Sequence, residues 1–329
     1  MKKTLISAIV ICLALCACTP KAQLSGSFIC GEADAAALCD AGLFTVRRCA
    51  VKCFDGTGEL IFERTLEPDT ARITKSSRLA AAYTEGGQSL VFSDGELIST
   101  SGGIISAALS ETGYIALCTD ESGYMGSVTV YSPDKKALYK WYSAHQALVS
   151  AAVSPDGTRL AVLTDKAVRL FRLDSEAECG SFECAGLRDI VWLGERVCCI
   201  GGDSLYVCND EGSFKGKRGF SGKMTGKFGV LDRKLIIEVS GNTGDEKTDV
   251  YILDDSLDIK NRISVGGELW YLDCRNDKMA LLTQNEVSVY SAEGKLLRSE
   301  DASGASMVLL SDDGDILAVG GGSVEMKNS

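Results

Sequence analysis

Three observations predict an all-β fold built from repeats of one four-stranded unit. A short turn motif recurs ahead of apolar runs, as SETG at residues 110–113, SPDG at 154–157 and SDDG at 311–314. The segments between such turns stack into a four-part unit with a period of roughly 31 to 44 residues, the range of propeller blades. No segment sustains the 3.6-residue apolar spacing of a helix.

The four parts, a to d, are justified in chain order. The a segments, such as IISAALSETG from Ile104, LVSAAVSPDG from Leu148 and SMVLLSDDG from Ser306, are apolar and end in a turn. The b segments, such as RLAVLTDK from Arg159 and KMALLTQN from Lys278, are short apolar runs bounded by Gly, Asp and Asn, as fully buried strands are. Strict alternation marks the c segments, for example SVTVYSPD from Ser127 and EVSVYSAEG from Glu286, as half-buried strands. The d segments, such as ALYKWYS from Ala137 and DIKNRIS from Asp258, are the most polar, as outer strands should be. Units start near residues 35, 71, 104, 147, 187, 224, 268 and 305. The last unit stops without a d strand, which would leave an open edge. Residues 25–30, SGSFIC, are placed to supply it, so the expected fold is a β-propeller of eight four-stranded blades closed by an N-terminal strand, with seven blades as the alternative.

Composition is that of a folded chain, with 45% hydrophobic and 24% charged residues and a Pro count of 4. A net charge of −11 disfavours nucleic acid or an anionic lipid surface as partner, because both recruit clustered Lys and Arg. The N-terminus has Lys2 and Lys3 ahead of an apolar run that ends at Cys18, too short to span a bilayer and of the length of a secretory signal core. Leu15-Cys16-Ala17-Cys18 resembles the lipobox of bacterial lipoproteins. That resemblance implies a signal peptide over residues 1–17, a thiol at Cys18 that takes diacylglycerol, and an acylated, palmitate-type membrane anchor. Residues 18–33 would then be tether and closing strand, and 34–329 the propeller. An ordinary cleaved signal with incidental cysteines is the other reading.

Over nearly its full mature length the chain resembles bacterial WD-repeat-like and quinoprotein-like β-propellers, through the SPDG and SDDG turns and the VYSAEGKLL and VYSPDKKALYKW hairpins. Residues 112–143 are similar to a blade of membrane-anchored envelope propellers grouped as a domain of unknown function. The resemblance implies a fold and a cell-envelope, extracytoplasmic setting, and no activity. The Gly-His and Trp-Asp pairs of true WD repeats are absent.

In a propeller the a-to-b and c-to-d turns share one face, and the b-to-c and d-to-a connections share the other. Asp156 falls in an a-to-b turn, where its carboxylate and the adjacent Gly157 serve the bend. The opposite face carries the longer connections, 119–127, 143–147 and 240–249. There Tyr124, Met125, Trp141, Tyr142 and His145 form a candidate ligand or partner patch, since aromatic residues and Met dominate contact surfaces. The alternative has Trp141 plugging the gap between blades and the others solvated.

Catalytic constellations are scarce. His145 is the one histidine in the sequence and has no nucleophile elbow nearby. The carboxylate pairs Asp120–Glu121 and Asp245–Glu246 read as solvated loop residues. No CxxC pair marks a metal, so neither metal nor cofactor is expected. Eleven cysteines remain after Cys18, most of them in b or c strands as small apolar filler. A hairpin turning on Asp203 would set Cys198 opposite Cys208, within reach of a disulfide. The function expected is a lipid-anchored binding or scaffold module for a protein partner or ligand. The alternative is a small-molecule or glycan sensor, or a propeller enzyme.

Overall fold

The computed structural model describes residues 26–241 and 247–327. Among these, 32 strands form eight four-stranded antiparallel sheets, and the seven sheets of blades 1 to 7 each run a-b-c-d in chain order. The a strands begin at residues 35, 71, 104, 148, 189, 223, 271 and 307, within three residues of the sequence expectation. Those sheets are blades 1 to 8 in that order. Neighbouring blades pack against one another, mostly through their a strands and between blades 5 and 6 through a shared apolar cluster, and blade 8 packs against blade 1, which closes the ring. The fold is an eight-bladed β-propeller.

Blade 8 joins the two chain ends, in the order Phe28–Ile29, Ser323–Lys327, Ile316–Gly320, Met307–Leu310. Phe28 pairs with Val324 and Ile29 with Ser323. The Cys30 and Gly31 amides then donate to the Gly322 carbonyl at 3.1 and 2.9 Å. Phe28 explains why so short a strand holds. Its ring lies 5.9 Å from that of Phe54 in blade 1 and joins the cluster of Leu38, Leu43, Met307 and Leu317 that seals blade 8 to blade 1.

Burial grades outward across each blade. The b strand Ile115–Thr119 is buried throughout, the c strand Gly126–Tyr131 alternates at its end, and the d strand Ala137–Ser143 is mostly exposed. Apolar clusters lie between blades rather than within one, as sheets stacked face to face require. In six blades the c–d register slips near the end of c, at Cys53/Phe54, Val130/Tyr131, Leu170/Phe171, Val207/Cys208, Ile252/Leu253 and Val289/Tyr290. A bulge there bends the outer strand and adds twist.

The recurring turn works as its sequence implies. Asp156 Oδ1 accepts from Ser154 Oγ at 2.5 Å and from the Thr158 amide at 3.1 Å, while Oδ2 accepts from Thr158 Oγ1 at 2.8 Å. Burial acts to raise this carboxyl's pKa, but these hydrogen bonds outweigh it and hold the group below its ordinary value. Gly157 takes φ +73°, and a Cβ there would strike the Tyr114 ring of blade 3.

Polar braces cross the axis side. Lys75 of blade 2 pairs with Asp273 of blade 7, whose other oxygen accepts the Leu310 amide of blade 8 at 2.8 Å. Arg275 of blade 7 donates to the carbonyls of Leu38 in blade 1 at 3.1 Å and Ser77 in blade 2 at 2.8 Å. These contacts span the blades that carry the closure, so they couple the two chain ends to the rest of the ring.

The expected Cys198–Cys208 bridge is corrected by the register. Cys198 lies opposite Val207, and Cys208 opposite Val197. The Gly201 amide bonds the Ser204 carbonyl at 2.9 Å, so the hairpin closes through Gly202 and Asp203 rather than pivoting on Asp203. That one-residue difference turns the two thiols to opposite faces of the sheet. Cys198 packs with Val207 and Leu235, while Cys208 packs with Cys199 and Val197. Both are free thiols.

Candidate functional site

The loop between the b and c strands of blade 3 turns back at Gly123, with φ +82°, and re-enters the sheet at Gly126, with φ +142°. A Cβ at Gly126 would press on Leu148 and the Thr119 carbonyl, so only glycine lets the loop lie this close to the sheet. The Met125 amide donates to the Ser143 carbonyl at 2.7 Å, which fastens the loop to the outer strand. Tyr124 is thereby set on Tyr142, with ring centroids 4.8 Å apart and planes tilted by 38°. Tyr124, Met125 and Tyr142 are 48%, 51% and 42% exposed, so this aromatic and thioether surface faces solvent without a covering element.

Charge frames the patch. Lys140 Nζ lies 4.9 Å from the Tyr142 ring centroid and 2.7 Å from Glu121 Oε2, which also accepts Ser127 Oγ at 3.2 Å. The Lys140 hydrogen bond holds the Glu121 carboxyl below its ordinary pKa, and the same bond raises that of Lys140. Glu121 is therefore an ion-pair partner that positions Lys140 over the ring, rather than only a solvated loop acid.

The structure brings Tyr124, Met125 and Tyr142 together and separates Trp141 from them. Alternation along the d strand sends Trp141 to the other sheet face. There it packs 5.1 Å from Phe171 of blade 4, under the Arg169 guanidinium at 5.9 Å, as the plug between blades. His145 is exposed in the d-to-a loop, and no hydrogen bond among the described residues ties its ring to a serine, cysteine or carboxylate. Cys18, Asp245 and Glu246 lie outside the described residues. Among those described, no group of three or more His, Cys, Asp or Glu is arranged to hold a metal ion.

One feature of the same face was missed in the sequence. A groove of about 460 Å³ on blade 7 is lined by Gly266, Glu268, Trp270, Gln284, Asn285 and Glu286, with Trp270 39% exposed. The apolar start of LWYLDCRND, residues 269–277, predicts an a strand that includes Trp270. The strand in fact starts at Tyr271, leaving the indole on the connecting loop, and the Gly266-Gly267 pair just before it was the available signal.

Residues 32–166, which cover blades 1 to 3 and the first hairpin of blade 4, match the model of a family of unknown function, DUF5711. No curated protein matches the chain. Among solved structures it is similar to Sqt1 of Saccharomyces cerevisiae, with a TM-score of 0.62 and 10% identity over 86% of this chain and 91% of that one. It is similar to BamB from Moraxella catarrhalis, with a TM-score of 0.58 and 12% identity over 92% and 98% of the two chains. Apo AztD from Citrobacter koseri gives a TM-score of 0.56 and 11% identity over 81% and 85%. At these identities the likeness is one of fold, and it extends over most of this chain and of each of the others.

Proposed function

We propose that this protein is a lipid-anchored extracytoplasmic propeller that binds a protein partner through the Tyr124–Met125–Tyr142 patch. The stacked, exposed tyrosine pair carries the reading. Two large rings beside a Met, held by a glycine-shaped loop and framed by an ion pair, form an ordered apolar surface of the kind that marks contact sites. A rigid propeller presenting such loops suits binding better than chemistry. The anchor rests on Lys2, Lys3, the apolar run and the lipobox-like Leu15–Cys18 stretch. Two acyl chains hold a protein stably where one does not.

The test is site-specific photo-crosslinking in intact cells from position 125, with position 134 on the opposite face as control. A discrete adduct at 125 that disappears in Tyr142→Ala supports the patch. Equal adducts at both positions, or insensitivity to Tyr142→Ala, would reject it. Radiolabelled fatty acid entering the wild type but not Cys18→Ala checks the anchor.

A second reading has its own observation. The Trp270 groove sets an exposed indole beside carboxylates and amides, which suits a sugar ring or another small polar ligand. Tryptophan fluorescence that shifts with a panel of neutral oligosaccharides in the wild type and not in Trp270→Phe would favour this glycan-sensor reading.

A further inference from the structure

The direction of the closing strand carries an inference about orientation, and it rests on the lipid-anchored reading above. The c strand of blade 8, Ser323–Lys327, runs from the b-to-c turn at Gly321 and Gly322 toward the face of the a-to-b and c-to-d turns. Phe28–Ile29 is antiparallel to it, with Phe28 on Val324 and Ile29 on Ser323, so the chain climbs from the turn face to the loop face. Two contacts fix that direction. Ser27 Oγ accepts the Met326 amide at 3.4 Å, and the Gly31 amide meets the Gly322 carbonyl at the other end. The described chain therefore enters the propeller, at Gly26 and Ser27, on the side of the a-to-b and c-to-d turns.

The Tyr124–Tyr142 patch sits on the opposite face, three blades round the ring from the closing blade. The chain from Cys18 to Gly26 reaches at most about 29 Å when fully extended. A six-residue strand such as Gly126–Tyr131 separates the two faces by about 20 Å, so an anchor beyond the loop face would use most of that reach in climbing the blade edge, whereas one beyond the turn face uses none of it. We infer that the anchored propeller stands with its a-to-b and c-to-d turns toward the membrane and presents the Tyr124–Tyr142 patch away from it, to a protein partner that stands off that bilayer rather than one embedded beside the anchor.

The test uses the full lipidated protein in phosphatidylcholine vesicles that contain an acceptor-labelled lipid. A fluorescent amino acid is incorporated genetically at Asp134 or at Ser122, because the native thiols rule out cysteine labelling. Both positions are exposed in blade 3, the first in its c-to-d turn and the second in its b-to-c loop. Energy transfer is expected to place residue 134 nearer the bilayer than residue 122 by about 20 Å, the length of the intervening strand. Equal distances, or a nearer residue 122, in protein that floats with the vesicles would overturn the orientation and leave the anchor standing. A wild type that fails to float, and so behaves as Cys18→Ala does, would overturn the anchor and the orientation with it.

Discussion

Replacing Phe28 by alanine tests whether two paired residues close the ring. The ring of Phe28 meets Phe54 at 5.9 Å, and a Cβ at Gly58 would strike it, so the side chain is clamped between blades 8 and 1. Phe→Ala at a fully buried site costs about 3–5 kcal/mol, and Phe28 is half-buried, which gives about 1.5–2.5 kcal/mol. For a chain of this size that lowers Tm by about 2–4 °C. Ile29, the next residue, is 82% exposed, and its alanine variant should stay within about 0.5 kcal/mol of wild type. Paired calorimetric melts of the two variants read the difference, and size-exclusion chromatography reads whether the exposed edge of Ser323–Lys327 recruits a second copy. Equal melts for Phe28→Ala and Ile29→Ala would refute the claim that the N-terminal strand closes the propeller through this ring.

Asp273→Ala removes a carboxylate that is almost fully buried and strands both Lys75 and the Leu310 amide, so a loss of about 3 kcal/mol is expected in denaturant melts, and Asp273→Asn should recover part of it if the Leu310 contact counts. Asp156 has its pKa lowered in the folded state, so its contribution is complete above the ordinary carboxylate range and is lost as pH falls through the lowered value. Asp156→Ala, discounted for exposure, should cost about 0.5–1 kcal/mol at pH 7 and progressively less as pH falls below the ordinary carboxylate range, as paired melts across an acid pH series will show. Peptide mapping after alkylation of native protein should find half-buried Cys49 modified well before Cys118 and Cys208, whose thiols burial pushes up to about 12, and should find no Cys198–Cys208 bond after unfolding.

The repeat was legible where turn chemistry repeats. SETG, SPDG and SDDG announce the a–b hairpins of blades 3, 4 and 8, and the alternating c segments set the register of the others. Blade 1 was harder to read. Its a–b hairpin pairs Cys39 with Gly42 through Asp40 and Ala41, without the Ser and Gly that SETG, SPDG and SDDG share. Blade 2 is thin, with a three-residue d strand and Ala81↔Phe92 and Ala82↔Val91 as its b–c pairs. Short strands carry little alternation, so their period is visible only against their neighbours.

The site was legible by face and not by side chain. Loop length marks the b-to-c and d-to-a face, because antiparallel topology alone decides which connections share it. Which residues meet on that face depends on single-residue register, where a period of two makes every slip decisive. Trp141 and Tyr142 are adjacent in sequence, yet one plugs blades 3 and 4 while the other stacks on Tyr124 in solvent. The same parity separates Cys198 from Cys208. In both cases the deciding contact is a backbone hydrogen bond at a loop mouth, from Met125 to Ser143 and from Gly201 to Ser204, and glycine placement sets it. The patch is thus fixed by the scaffold while its side chains remain free to change. Substituting Tyr124 or Tyr142 should alter recognition with little effect on the fold, whereas any larger residue at Gly126 should damage both.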